Sequence, residues 1–157
     1  MDGRRAPIFA IVPPPVAYIA TFLVGWGVSR VVNWAPAWIE APPVRALGLA
    51  IAIAGLALGA FAGWLFLSRR TTFIPAGQPA RLVDGGVYAW TRNPMYVGLT
   101  LIYAGTALAL GQVFTLALVV LPWAVVNWIV IPFEEARLRA TFGQDYAEYC
   151  RRVRRWL

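Results

Sequence analysis

Two stretches of the chain gather polar, charged and aromatic side chains that could carry chemistry. The first is Gly85-Gly86-Val87-Tyr88-Ala89-Trp90-Thr91-Arg92-Asn93-Pro94-Met95-Tyr96-Val97-Gly98. The second opens on Glu134-Glu135 and runs to Phe142-Gly143-Gln144-Asp145-Tyr146 and Tyr149. Carboxylates take ammonium groups or hydroxyls, guanidinium groups take carboxylates in pairs of hydrogen bonds, and tyrosine and tryptophan rings stack on planar or cationic groups. The chain has no histidine and a single cysteine, Cys150. The commonest general base, a common metal ligand and any intrachain disulfide are thereby absent, and no metal centre is expected. Taken singly, each feature also has a purely structural use. Gly85-Gly86 suits a turn, Asn93 and Pro94 suit a helix cap and first helical position, and Glu134 with Arg137 or Glu135 with Arg139 suits a surface ion pair.

The elements that must position these residues read as transmembrane helices. Hydrophobic residues make up 60% of the 157, and charged residues only 13%, against about 45–50% and about 25% in an ordinary soluble domain. The apolar residues fall in four runs, at about 16–33, 44–67, 95–111 and 113–132, each close to the length that spans a bilayer. Gly55, Gly59 and Gly63 recur every four residues in the second run and would line one face for close helix packing. Gly111-Gln112 is a tight turn that makes a hairpin of the last two runs. Asn127 lies inside the fourth run; it hydrogen-bonds another helix or lines a cavity, and is the candidate contact to an acceptor. The connection from Ser68 to Pro94 is polar, turn-rich and too long for a simple hairpin.

The 14 basic residues are all arginine, and the formal net charge is +7. With four spans, Arg4, Arg5, the arginines of the long connection and those of the C-terminal segment share one side, and only Arg30 and Arg45 face the other. The positive-inside rule then places both termini in the cytoplasm, and the excess charge speaks of lipid headgroups rather than nucleic acid. After Pro132, Glu134 and Glu135 open a helix, Gly143 can end it and Asp145 can cap the next. Leu138, Phe142, Tyr146, Tyr149, Val153 and Trp156 share one apolar face, which would lie on the membrane surface or fold back under the bundle. The expectation is an all-α polytopic membrane bundle in a single domain, with cytoplasmic amphipathic helices at its C-terminal end.

GGVYAWTRNPMYVG, a helical hairpin and then EEARLRATFGQDYAEYCRRV form an ordered set. This set resembles the isoprenylcysteine carboxyl methyltransferase family and the related phospholipid methyltransferases, over about residues 80–156. The resemblance implies S-adenosylmethionine-dependent methyl transfer to a lipophilic acceptor (a carboxylate, thiol or amine) that arrives from the bilayer. It also implies a cytoplasm-facing cofactor pocket roofed by the C-terminal segment. Carried over by position, the cofactor-binding residues are Arg81, Leu82, Val83, Tyr88, Asn93, Pro94, Met95, Tyr96 and either Glu134 or Glu135; Arg92 or Arg81 would face the cofactor's carboxylate. Asn93 stands where the family has a histidine, and Asn127 to Phe133 carries no basic residue to hold an acceptor carboxylate. Two other readings remain at this point. Sterol-type NAD(P)H-dependent reductases share a similar C-terminal pattern, of which Tyr146, Tyr149 and Cys150 are reminiscent; a non-catalytic membrane scaffold is the third.

Overall fold

The computed structural model describes residues 13–68 and 82–157; Arg81, named above as a cofactor contact, lies outside them. Helix α1 is Pro14–Val32, α2 the short Ala37–Glu40, and α3 Pro42–Ser68. A 3-10 helix at Gly86–Ala89 precedes α4, Pro94–Ala109. Then come α5, Val113–Leu118, α6, Val120–Val125, a π-helical turn at Val126–Val130, and α7, Ile131–Arg152. Among the described residues, α1, α3 and the helix run 113–152 are long and apolar enough to cross a membrane, and α4 is a shorter apolar helix of 16 residues. At 1.5 Å per residue α4 reaches about 24 Å, a little short of the hydrocarbon thickness. The chain is thus an all-helical, polytopic membrane protein, as its composition requires.

The close pair in the bundle is α3 against α4, and glycine makes it possible. A Cβ added at Gly55 would stand 2.7 Å from the Gly98 carbonyl oxygen, and one at Gly98 2.8 Å from that of Gly55. Gly48 and Gly105 repeat this reciprocal contact at 2.8 and 2.6 Å. The two pairs lie one heptad apart on each helix, in antiparallel register. The expected stripe of Gly55, Gly59 and Gly63 is therefore only partly right. Among the described residues, positions 59 and 63 have nothing within 4 Å of an added Cβ, although the Gly59 backbone does lie beside Gly98. Small residues let backbones approach in lipid, but the partner decides which of them are used.

Helix α1 is fastened to α4 by polar as well as apolar contacts. The Tyr18 hydroxyl shares a 2.8 Å hydrogen bond with the Thr100 hydroxyl. Tyr18 and Phe22 meet the Tyr103 ring edge to face, with centroids 6.1 and 5.1 Å away. Buried Tyr18 and Tyr103 form one apolar cluster with Val126, Val130 and Ile131. Inside a bilayer such bonds spare hydroxyls from facing hydrocarbon.

One departure from the sequence expectation, at Pro132, and one agreement with it, at Gly143, shape the site. The fourth run does not end at Pro132; the helix passes through it into α7. Pro132 cannot donate to the carbonyl four residues back, and its ring crowds that turn. The turn before it is widened, so that the Ile131 amide donates to the Val126 carbonyl, five residues back. The helix then bends at Gly143, which has φ 51° and ψ −115°, a conformation that glycine alone takes readily. Beyond the bend, Tyr146, Tyr149 and Val153 pack with Leu138, Phe142, Cys150 and Leu82. The apolar face read from the sequence thus folds back onto the protein, except that Trp156 joins the Tyr18–Tyr103 cluster instead.

Candidate functional site

Residues 82–96 enter the bundle between α3 and α7. Val83 and Tyr88 are buried with Ala62 and Leu65, and Met95 packs against the same cluster. The Tyr88 ring meets Phe66 at 5.3 Å, and its carbonyl accepts a 2.7 Å bond from the Tyr149 hydroxyl. Gly86 has φ +63°, and a Cβ there would strike Leu65 at 2.8 Å. The glycine pair seen in the sequence is therefore a tight passage under the end of α3. Leu82, Val83, Pro94 and Met95 serve by packing, and hold the polar residues between them in place. Burial raises the phenols of Tyr88 and Tyr149 above the ordinary tyrosine range, so both stay neutral.

At the start of α4 the two sequence stretches meet. The Tyr96 hydroxyl donates to Glu134 Oε1 at 2.7 Å. Arg92 Nη2 lies 3.3 Å from Glu135 Oε1, and Arg92 Nη1 touches Cys150 Sγ. The remaining donor of that guanidinium, Nε, is buried without a partner among the described residues. A buried N–H without an acceptor is costly. Glu134 lies just past the apolar run; burial pushes its carboxyl up to about 7, against the opposing pull of the Tyr96 hydrogen bond and of Arg137.

Arg155 is not among the residues expected above, yet it dominates Glu135. Its Nε donates to Oε1 at 3.1 Å and its Nη2 to Oε2 at 2.8 Å. Both carboxylate oxygens are thus held, and Glu135 is 8% exposed. The backbone of the same segment is also gripped. Arg154's carbonyl accepts from the Arg92 amide at 2.9 Å. Arg155's carbonyl accepts from Thr91 Oγ1 at 3.1 Å and from Asn93 Nδ2 at 2.9 Å. Asn93 does stand at the cap position of α4, but its side chain makes no cap bond; it is spent on this strap. Trp156 completes it, donating to Asn127 Oδ1 at 2.9 Å and lying against Trp123 at 5.9 Å. Asn127 therefore bonds a tryptophan beyond α7, from within the widened turn.

Replacing Trp156 by phenylalanine keeps the ring and removes the donor. We expect a loss of about 1 kcal/mol, the usual worth of one neutral hydrogen bond whose acceptor is left in place. Chemical or thermal unfolding in detergent checks it.

The expected surface pairs are replaced in part. Glu135 pairs with Arg155 and Arg92 rather than Arg139, and on the exposed side Asp84 meets Arg152 at 3.3 Å. Leu82, Asp84, Asp145, Glu148 and Arg152 line an open cavity of about 300 Å³ beside this network. The structure brings together Arg92, Asn93, Tyr96, Glu134 and Glu135. Tyr88 lies one layer behind them in the apolar cluster, and Asn127 is linked to them only through the strap.

Comparisons with known proteins agree on one relationship. The model of the phospholipid methyltransferase family matches residues 44–145. Protein-S-isoprenylcysteine O-methyltransferase B of Arabidopsis thaliana is 36% identical over 101 residues, which is 54% of this chain and 49% of that protein. Protein-S-isoprenylcysteine O-methyltransferase of Schizosaccharomyces pombe is 37% identical over 73 residues, 46% of this chain and 30% of that protein. A solved structure of the eukaryotic intramembrane Ras methyltransferase, an isoprenylcysteine carboxyl methyltransferase, superposes with a TM-score of 0.69 at 25% identity. The superposition covers 88% of this chain and 50% of that one. The chain spans about half the length of these relatives or less.

Proposed function

The chain belongs to the phospholipid methyltransferase family, and on that premise we propose that it is an integral membrane methyltransferase using S-adenosylmethionine and a lipophilic acceptor. The observation that carries this reading is the convergence of the residue 88–96 stretch with the acidic pair at one end of α4, through the Tyr96–Glu134 and Arg92–Glu135 contacts. The names of the relatives support the reaction class.

The residues present suit the cofactor. When bound, it supplies a methyl group on a sulfonium, alongside an ammonium, a carboxylate, a ribose and an adenine. The buried, unpartnered Nε of Arg92 is a donor for a carboxylate. Glu134 and Glu135 are acceptors for the ammonium or the ribose hydroxyls; Tyr96 bonds Glu134, and Tyr88 backs them from the apolar cluster. Arg92, Tyr96 and the acidic pair hold and orient. The strap of residues 154–156 covers the Thr91–Asn93 turn and Glu135 through its backbone and Arg155. Positioning supplies much of the rate in a direct displacement. An ionised carboxylate or thiolate acceptor needs no enzymatic base, so a chain without histidine is competent. The acceptor is a lipophilic carboxylate, thiol or amine. With both termini in the cytoplasm, the site opens at the inner face of the membrane.

Addition of S-adenosylhomocysteine to the detergent-purified protein should raise its thermal midpoint, and NADPH should not. At a ligand concentration one hundred times Kd the stabilisation is about 2.7 kcal/mol, or roughly 5–10 °C for a protein of this size. A response to NADPH alone would instead favour a reductase, and a response to neither would remove the enzyme reading.

A further inference from the structure

We propose that Arg155 is an exchangeable counter-ion, which leaves Glu135 when the cofactor's ammonium takes its place. The inference rests on the methyltransferase reading and names a conformational step for that site.

The argument is one of occupancy. Arg155 holds both oxygens of Glu135, with Arg92 on the flank of one of them. While that pair stands, Glu135 has no face to offer a ligand. The two partners differ in what release would cost them. The Glu135 side chain is 11% exposed and that of Arg155 34%. Arg155 can turn to water with little penalty, whereas Glu135 would keep only Arg92, 3.3 Å from Oε1, and its buried Oε2 would lose its cation. Glu135 can therefore give up one cation only for another, and the ligand that opens it must carry a positive group. The rest of the strap is attached through backbone carbonyls, to Thr91, Asn93 and the Arg92 amide, and through the Trp156–Asn127 bond. These contacts do not involve the Arg155 side chain, so the guanidinium can swing while the strap stays closed.

The test compares S-adenosylhomocysteine, which carries the ammonium, with methylthioadenosine, which lacks the whole amino-acid end. Binding of each to wild type, Arg155→Gln and Arg155→Lys is measured by calorimetry, together with the thermal midpoint without ligand. We expect Arg155→Gln to lower the ligand-free midpoint and yet bind S-adenosylhomocysteine about tenfold more tightly, with methylthioadenosine unchanged. Arg155→Lys, which keeps charge but not the paired geometry, should fall between. Unchanged or weaker S-adenosylhomocysteine binding in Arg155→Gln would overturn the exchange and leave the methyltransferase reading intact. Equal tightening of both ligands would also overturn it, since that would mean general loosening of the strap. Absence of binding by either ligand to any of the three proteins would remove both readings together.

Discussion

Gly105→Leu should leave little folded protein in detergent, while Gly63→Ala should be harmless or slightly stabilising. The two glycines look alike in the sequence, and both sit in apolar helices. A Cβ at Gly105 would lie 2.4 Å from the Ala52 amide nitrogen and 2.6 Å from the Gly48 carbonyl oxygen. Backbone cannot give way as a side-chain tip can, so α3 and α4 would have to part along their whole seam. Over-packing of a well-packed interior costs about 1–3 kcal/mol and sometimes more. This seam is the principal helix contact of the bundle, and its two glycine pairs would be lost together, so the upper end applies. Gly63 has open space about it, and alanine there gains up to about 1 kcal/mol in helix propensity. Thermal unfolding of the two variants side by side checks the contrast, and a Gly105→Leu protein with an unchanged midpoint would disprove the close pairing.

Glu135→Ala should be the most damaging single change at the site, in stability and in ligand binding alike. Removal of the carboxylate leaves Arg155 and Arg92 facing each other with no anion between them. Breaking a buried pair from one side typically costs about 3–5 kcal/mol. Arg155 is a third exposed and can rehydrate, so about 2–3 kcal/mol is expected. Binding of S-adenosylhomocysteine should weaken about a hundredfold, the loss of one buried charge-assisted contact. The double variant Glu135→Gln with Arg155→Gln separates the two effects. It should recover much of the stability, because no lone charge remains, and recover none of the affinity. Full affinity in Glu135→Ala would take this residue out of the site and leave Glu134 as the candidate.

Much of the architecture was legible because lipid imposes simple rules. Long apolar runs had to become helices, and the spacing of Leu138, Phe142, Tyr146, Tyr149 and Val153 announced their shared face. The errors came where a local signal needs a distant partner to be decided. A glycine stripe permits close approach, but Gly98 and Gly105 on the other helix selected Gly55 and Gly48. Asn93 has the chemistry of a cap, but the Arg155 carbonyl claimed its amide. Pro132 looked like the start of a separate helix, but a single widened turn let the helix continue. The site was half visible for the same reason. Residues 88–96 and the acidic pair form recognisable strings, whereas Arg155 is one of four arginines in the last seven residues. Only the departure from helix at Val153, with φ −123° and ψ 133°, turns it inward. A Val-Arg-Arg-Trp string with an apolar residue on each side of the arginines was the available hint.

Glu134 and Glu135 are the same chemical group on adjacent residues, yet one answers to a phenol and the other to two guanidinium groups. What distinguishes them is angle, since neighbours on a helix point about 100° apart. The extra residue accommodated in the Val126–Val130 turn sets that angle for everything downstream. Deleting one residue there would restore an ordinary helix and rotate the acidic pair by about the same 100°, enough to reassign each carboxylate. The turn thus acts as a phase adjuster. Two interchangeable acids acquire separate duties from the pitch of the one turn that precedes them.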